Sequence, residues 1–290
     1  MSNGFKRLCG GLIRSTGVAT ALLLAGCTLP ALNLVTPDNG YTLTSDVEYG
    51  DHERQRMDVY RPTEPLTGAP TVVFFYGGSW QWGYKEGYRF VAQALAEEGY
   101  RVVVPDYRLN PEVMFPAFIE DGAAAVARAV ELNLGDNGLV LMGHSAGAHT
   151  AALLALDERY LVAADVDRSR VTAWIGLSGP YDFLPLQAQE FINVFGAADG
   201  IPETQPVNFV SEDDPPALLI WGEDDSKVAR RNIESLSEAL RSADVPVQVR
   251  IYAEANHYDP IGAFSVRFRD LSPGFADVMS YLNGLSGGIQ

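Results

Sequence analysis

The stretch LVLMGHSAGAHTAALLAL, Leu139 to Leu156, decides the fold. It opens as an apolar run over residues 139–142, the pattern of a strand buried on both faces. Gly143 breaks the run. From Ala146 to Leu156 alanine and leucine dominate, and both favour helix. Between strand and helix stands Gly143-His144-Ser145-Ala146-Gly147, a G-x-S-x-G turn. So short a turn forces the serine into a strained conformation, and only glycine tolerates close packing on either side. The serine hydroxyl is then presented at the C-terminal edge of the sheet, where the helix N-terminus aims free N–H groups at it. A plain serine N-cap accounts for Ser145 but not for both glycines. Ser145 is the candidate nucleophile.

The same alternation extends outward. Residues 71–76 (TVVFFY), 101–105, 171–177, 217–221 and 247–252 read as further strands. Residues 86–98, 117–134, 228–242 and 275–285 have helical spacing. Strand and helix alternate from Thr71 onward, which predicts an α/β fold: a mostly parallel central sheet with helices on both faces. Residues 41–49 and 55–61 surround a Gly50-Asp51-His52 turn and predict an antiparallel N-terminal edge. Residues 180–216 are irregular, rich in Pro, Gly, Gln and Asp. They read either as a small cap over the site or as a surface connection.

Length and composition agree with one such domain. The chain has 290 residues, 47% of them hydrophobic and 20% charged. Its net charge of −16 repels phosphate backbones and excludes nucleic acid as an expected partner. The two cysteines, Cys9 and Cys27, are both N-terminal, so the body carries no disulfide or thiolate metal site. Neither a metal nor an organic cofactor is expected.

The N-terminus reads as an address. Lys6, Arg7 and Arg14 precede a short apolar segment, residues 15–25, too short to span a bilayer. Leu24-Ala25-Gly26-Cys27 resembles a bacterial lipobox. That resemblance implies cleavage before Cys27 and acyl chains on it, enough to anchor the protein stably. Thr28 is not the aspartate that favours inner-membrane retention, so the expected location is the outer membrane, facing the periplasm. The plainer alternative is a secretory signal with an incidental cysteine. The expected domains are a signal at 1–26, a lipid-anchored tether at 27–40 and one folded domain at 41–290.

A serine hydroxyl needs a base. His144 and His149 flank the turn, with His149 expected to pack. His52 lies in the early hairpin. His257 follows the last strand in a short loop, after the serine and any acid in chain order, and is the candidate base. Ahead of it Gly222-Glu223-Asp224-Asp225-Ser226-Lys227-Val228 offers three acids in a row.

With these motifs the chain resembles the α/β-hydrolase superfamily. The branch is that of carboxylesterases and hormone-sensitive lipase, including kynurenine formamidases and BD-FAE-type feruloyl esterases. The resemblance runs in order from Gly77 to His257. It selects Asp225, because Gly222, Asp225 and Val228 match the superfamily spacing. Asp224 is the fallback and Glu223 reads as a solvated acid. Relatives carry His-Gly-Gly after the third strand. Here Tyr76-Gly77-Gly78-Ser79-Trp80 puts tyrosine in place of that histidine. The resemblance implies an oxyanion hole from the N–H groups of Gly78 or Ser79 and Ala146, with Gly77 shaping the loop. Asp106-Tyr107-Arg108-Leu109 matches the family's Asp-Tyr-Arg-Leu signature, which braces that loop.

The implied activity is hydrolysis of small carboxylic esters, of short to medium acyl length, through an acyl-enzyme. Trp80, Trp82, Tyr84, Tyr181 and Phe183 are candidate pocket residues. Arylformamidase-like amide cleavage uses the same machinery and is the second enzymatic reading. A binding protein that keeps the fold without catalysis is the third.

Overall fold

The apolar runs predicted as buried strands form the centre of one eight-stranded sheet. A computed structural model describes residues 29–196 and 201–286 of the chain. Cys27 and the signal segment lie outside the described residues. The strands are β1 (Tyr41–Glu48), β2 (Arg56–Pro62), β3 (Thr71–Phe75), β4 (Val102–Pro105), β5 (Leu139–His144), β6 (Val171–Leu177), β7 (Ala217–Gly222) and β8 (Val247–Tyr252). Their order is β1-β2-β4-β3-β5-β6-β7-β8. β1 pairs with β2, and β2 with β4, antiparallel; every later pairing is parallel. Every residue of β3, β4, β5 and β7 is buried, as strands covered on both faces must be. The edge strand β8 stays partly exposed.

The helices are α1 (Arg89–Glu97), α2 (Ala117–Glu131), α3 (Ala146–Leu156), α4 (Glu158–Ala163), α5 (Gln189–Phe195), α6 (Arg231–Ser242), α7 (Asp259–Gly262) and α8 (Gly274–Ser286). α3 packs on β3, β5 and β6, and α6 on β7 and β8. α3 is buried along its whole length, which explains why it reads as apolar all round.

Three predicted helices are shorter than their periodicity suggests. The helix expected at 86–98 begins as a 3-10 turn (Lys85–Tyr88) before α1. The one at 117–134 ends at Glu131, where Asn133 takes a left-handed φ of 54° and the Leu134 N–H returns to the Ala129 carbonyl. The one at 228–242 starts only at Arg231, because the Asp225 carboxylate takes the N–H groups of Lys227 and Val228.

Residues 180–216 hold α5 and two 3-10 turns, Pro202–Thr204 and Pro206–Phe209. The segment read as a tether likewise contains a 3-10 helix, Leu29–Val35. Asn33 fastens it: Nδ2 donates to the Glu86 carbonyl at 2.6 Å, and Oδ1 accepts the Phe90 N–H at 3.0 Å.

Candidate active site

Ser145 joins β5 to α3 with φ 54° and ψ −122°, a region that non-glycine residues avoid. The turn is held by the Ser145 N–H on the Leu177 carbonyl at 2.9 Å. Its glycines are sterically required. A Cβ on Gly143 would collide with the Gly147 carbonyl, and a Cβ on Gly147 with the carbonyls of Phe75 and Tyr76. The backbones of β3, β5 and α3 thus touch directly beneath the serine.

His257 lies in the loop between β8 and α7, with 5% of its surface exposed. Its Nε2 is 2.9 Å from Ser145 Oγ and its Nδ1 is 2.7 Å from Asp225 Oδ2. Asp225 Oδ1 accepts the N–H groups of Lys227 at 2.8 Å and Val228 at 2.9 Å. Both carboxylate oxygens are therefore engaged, and the side chain is fully enclosed. Asp224 and Glu223 are exposed, and Glu223 reaches Arg230 at 3.4 Å. The structure thus brings Ser145, His257 and Asp225 into one hydrogen-bonded line and leaves Asp224 outside it.

The other histidines are occupied elsewhere. His144 is buried, and its Nε2 sits 3.0 Å from the His257 carbonyl, a partner to which it can only donate. Burial, with His257 second, lowers its pKa to about 3, so the ring is neutral. His149 packs against Trp80 and Phe195 and donates from Nε2 to the Thr204 carbonyl at 2.7 Å. Burial lowers its pKa to about 4. His52 pairs with Glu112 at 2.6 Å, beside the β1–β2 turn.

The loop after β3 meets the serine from the other side. A Cβ on Gly77 would stand 3.0 Å from Ser145 Cβ and 2.9 Å from the His144 carbonyl. Gly78, Ser79 and Trp80 follow with φ 144°, 51° and 58°. Three consecutive residues at positive φ hold a strained loop open beside the nucleophile. Among the described residues, the N–H groups of Gly78, Ser79 and Ala146 donate to no carbonyl of a turn or loop. They are free to serve an anion.

The loop is braced as the Asp106-Tyr107-Arg108 match implies. Asp106 Oδ1 accepts from Tyr76 Oη and the Lys85 N–H, both at 2.8 Å. Tyr107 Oη donates to the Tyr76 carbonyl at 2.6 Å. Arg54 joins Tyr76 Oη, the Gly83 carbonyl and the Tyr107 carbonyl, each at 2.8 Å. Arg108 clasps the buried Asp121 at 2.7 Å. The tyrosine at 76 fills a defined place: its ring stacks on Tyr107 and Tyr88.

Ser145 and His257 open into a cavity of about 760 Å³ that Gly77, Gly78, Ser79 and Ala146 also line. Trp80 lines it while packing on Phe195, with ring centroids 4.7 Å apart. Trp82 stands at the rim, 43% exposed, and Phe183 forms part of the wall. Tyr181 does not reach the cavity, contrary to the expectation for it. Its ring turns under β6, where its hydroxyl takes the space that side chains at Gly176 and Gly179 would need. Tyr84 is likewise outside the lining. The sequence reading missed Leu29, Leu186, Phe191 and Tyr258, which do line it. Residues between Pro180 and Phe191 supply one wall of it. Among the described residues no cluster of His, Cys, Asp or Glu could hold a metal ion.

Sheet order, elbow and hydrogen-bonded Ser–His–Asp line together define the class: an α/β-hydrolase fold with a serine at its elbow. The chain belongs to the BD-FAE family, whose pattern it matches over residues 57–240, well over half its length. It is 29% identical over 241 residues to a probable isoprenylcysteine alpha-carbonyl methylesterase, ICME, of Oryza sativa subsp. japonica, covering 73% of this chain and 57% of that protein. It is 28% identical over 222 residues to the kynurenine formamidase of Danio rerio, covering 74% of this chain and 75% of that one. With the probable carboxylic ester hydrolase LipM of Mycobacterium tuberculosis it shares 30% identity over 239 residues, 74% of this chain and 55% of LipM. The chain thus spans little more than half the length of the rice and mycobacterial relatives. In fold it is similar to a truncated carbohydrate esterase from gut microbiota, with a TM-score of 0.74 at 22% identity over 87% of this chain and 99% of that one. It is also similar to esterase B of Lactobacillus rhamnosis, with a TM-score of 0.75 at 19% identity over 90% and 91% of the two chains.

Proposed function

We propose that this protein is a serine carboxylester hydrolase acting on short- to medium-chain acyl esters, with Ser145 as nucleophile, His257 as base and Asp225 as its orienter. The observation that carries this is the continuous line from Ser145 Oγ through the imidazole to Asp225, with spans of 2.9 and 2.7 Å. Ser145 Oγ attacks the ester carbonyl carbon while His257 Nε2 takes its proton. The N–H groups of Gly78 or Ser79 and of Ala146 receive the oxyanion, an interaction worth about 10²–10³-fold in rate per donor. His257 then protonates the departing alkoxide, leaving an acyl group on Ser145. Water, deprotonated by His257, cleaves the acyl-enzyme and restores the serine. Asp225 holds the imidazole in the Nδ1–H tautomer and stabilises its cation.

A cavity of about 760 Å³ with Phe183, Leu186 and Phe191 in its wall suits a modest acyl group. The same machinery cleaves formamides, and similarity to a kynurenine formamidase favours that as the second reading. The lipobox resemblance at Cys27 supports export and lipid anchoring, with the outer membrane as the site and flotation with membranes as the check. Among the described residues no helix is long and apolar enough to cross a membrane.

The test is hydrolysis of p-nitrophenyl acetate, butyrate and octanoate and of N-formylkynurenine, beside Ser145→Ala. Ester turnover that drops by several orders of magnitude in the variant is expected, with fluorophosphonate labelling lost in parallel. Preference for N-formylkynurenine would promote the formamidase reading. A folded protein with no turnover and no labelling would leave an inert binding protein.

A further inference from the structure

One residue lining the cavity comes from the N-terminal segment ahead of the sheet. Leu29, the first residue of the N-terminal 3-10 helix, is buried and faces the same space as Ser145 and His257. Only Thr28 separates it from Cys27 in sequence, a span of at most about 7 Å. The helix is pinned through Asn33, so its polar side chain faces the protein. Its other face carries Ala31, Leu34 and Val35, all exposed, and no polar group. Leu34, at 88%, is the most exposed large apolar side chain among the described residues. Pro30 and Tyr84 both stand against Gly87, and Trp82 lines the same cavity as Leu29. Trp82 and Tyr84 are each nearly half exposed. Exposed apolar side chains on the helix that enters a cavity, with an exposed Trp on its lining and an exposed Tyr against the helix, mark an interaction surface, and Trp and Tyr are the side chains that settle at membrane interfaces.

We propose that the mouth of this cavity rests on a lipid bilayer, so that the ester substrate enters from the lipid side. Ala31, Leu34, Val35, Trp82 and Tyr84 form the contact, and the acyl chains on Cys27 hold it there. This rests on the esterase and lipid-anchor readings above. A long flexible linker would let an anchored domain tumble; a single intervening residue leaves no such slack. The attraction is apolar. Asp38 and Glu86 are exposed beside the helix, so anionic headgroups add nothing and the contact is insensitive to salt.

The full chain, purified from membranes, is reconstituted into phosphatidylcholine vesicles carrying brominated acyl chains, which quench indoles they touch. Trp80, Trp174 and Trp221 are buried, which leaves Trp82 as the reporter. Tryptophan emission should fall on the vesicles, at low and high salt alike, and Trp82→Phe should abolish most of that fall. Leu34→Asp combined with Val35→Asp should lower turnover of a vesicle-embedded medium-chain ester about tenfold while p-nitrophenyl acetate turnover stays within about twofold. Inserting about twenty Gly and Ser residues between Thr28 and Leu29 should do the same. Flotation with Trp82 unquenched overturns the proposal and points to a protein partner on this face. Failure to float overturns it through the anchor. Quenching with neither ester turned over supports the bilayer contact and sinks the esterase reading instead.

Discussion

Asp224 and Asp225 are chain neighbours in opposite surroundings. Asp225 spends one oxygen on two backbone N–H groups and the other on His257. Asp224 is exposed to water. Asp225→Asn should therefore cut kcat/KM by on the order of 10³–10⁴-fold, because the amide favours the wrong imidazole tautomer. Asp224→Asn should stay within about twofold, as a solvated surface change. Equal losses in steady-state assays of the two variants would remove Asp225 from its assigned role. Three acids in a row left the choice open, and resemblance to the superfamily spacing of Gly222, Asp225 and Val228 made it; in the structure the Asp225 carboxylate caps the N–H groups two and three residues on. Tyr181 was not legible. It flanks the site in sequence, but a loop has no periodicity to say whether a ring turns into a cavity or under a strand. The glycines at 176 and 179, which make room for it, were the available signal.

The elbow carries the prediction at the level of elements. Gly147→Ala would drive a methyl into the carbonyls of Phe75 and Tyr76, parting α3 from β3. A loss of about 3 kcal/mol or more in urea unfolding is expected, at the upper end of overpacking costs. Gly284 in α8 has open space around it, and Gly284→Ala there should stabilise by about 0.5–1 kcal/mol. If both variants unfold like the wild type, the close approach of α3 and β3 is not what the glycine serves. An Ala- and Leu-rich run bounded by the elbow made α3 readable to the residue, and β-type apolar runs made β6 and β8 so. The short elements α4, α5 and α7 were not. α5 has seven residues, less than an isolated helix needs, and exists because Phe195 packs on Trp80 and Phe183. Its stability is tertiary, so its own sequence carries little of the signal.

Across the whole molecule, two neutral histidines set how stability responds to acid. Burial keeps His144 at about 3 and His149 at about 4, against an ordinary value near 6.5. As pH falls below about 6.5 the unfolded chain takes up protons that the folded chain refuses. Stability therefore declines towards pH 4, by up to about 1.4 kcal/mol per pH unit for each histidine. Asp58, Asp106 and Asp214, raised by burial, favour the protonated fold and soften the decline once carboxylates titrate. Urea midpoints should fall between about pH 7.5 and about pH 5, and His149→Gln should flatten that fall even if it lowers the plateau. A level profile in the wild type would show that the two rings gain protons in the folded state. The apolar strands and the glycines made the parallel sheet readable from sequence at this scale. The docking of residues 29–35 was not, because its decisive contact joins Asn33 to a backbone more than fifty residues away.

The tyrosine at 76 ties three positions together. Its hydroxyl completes a bridge between the Arg54 guanidinium and the Asp106 carboxylate. Groups in one hydrogen-bonded network do not contribute additively. A histidine at 76, as in the relatives the motif resembles, would leave that bridge without its phenol. Positions 54, 76 and 106 are thus energetically coupled, and exchanging the tyrosine alone alters what the arginine and the carboxylate hold.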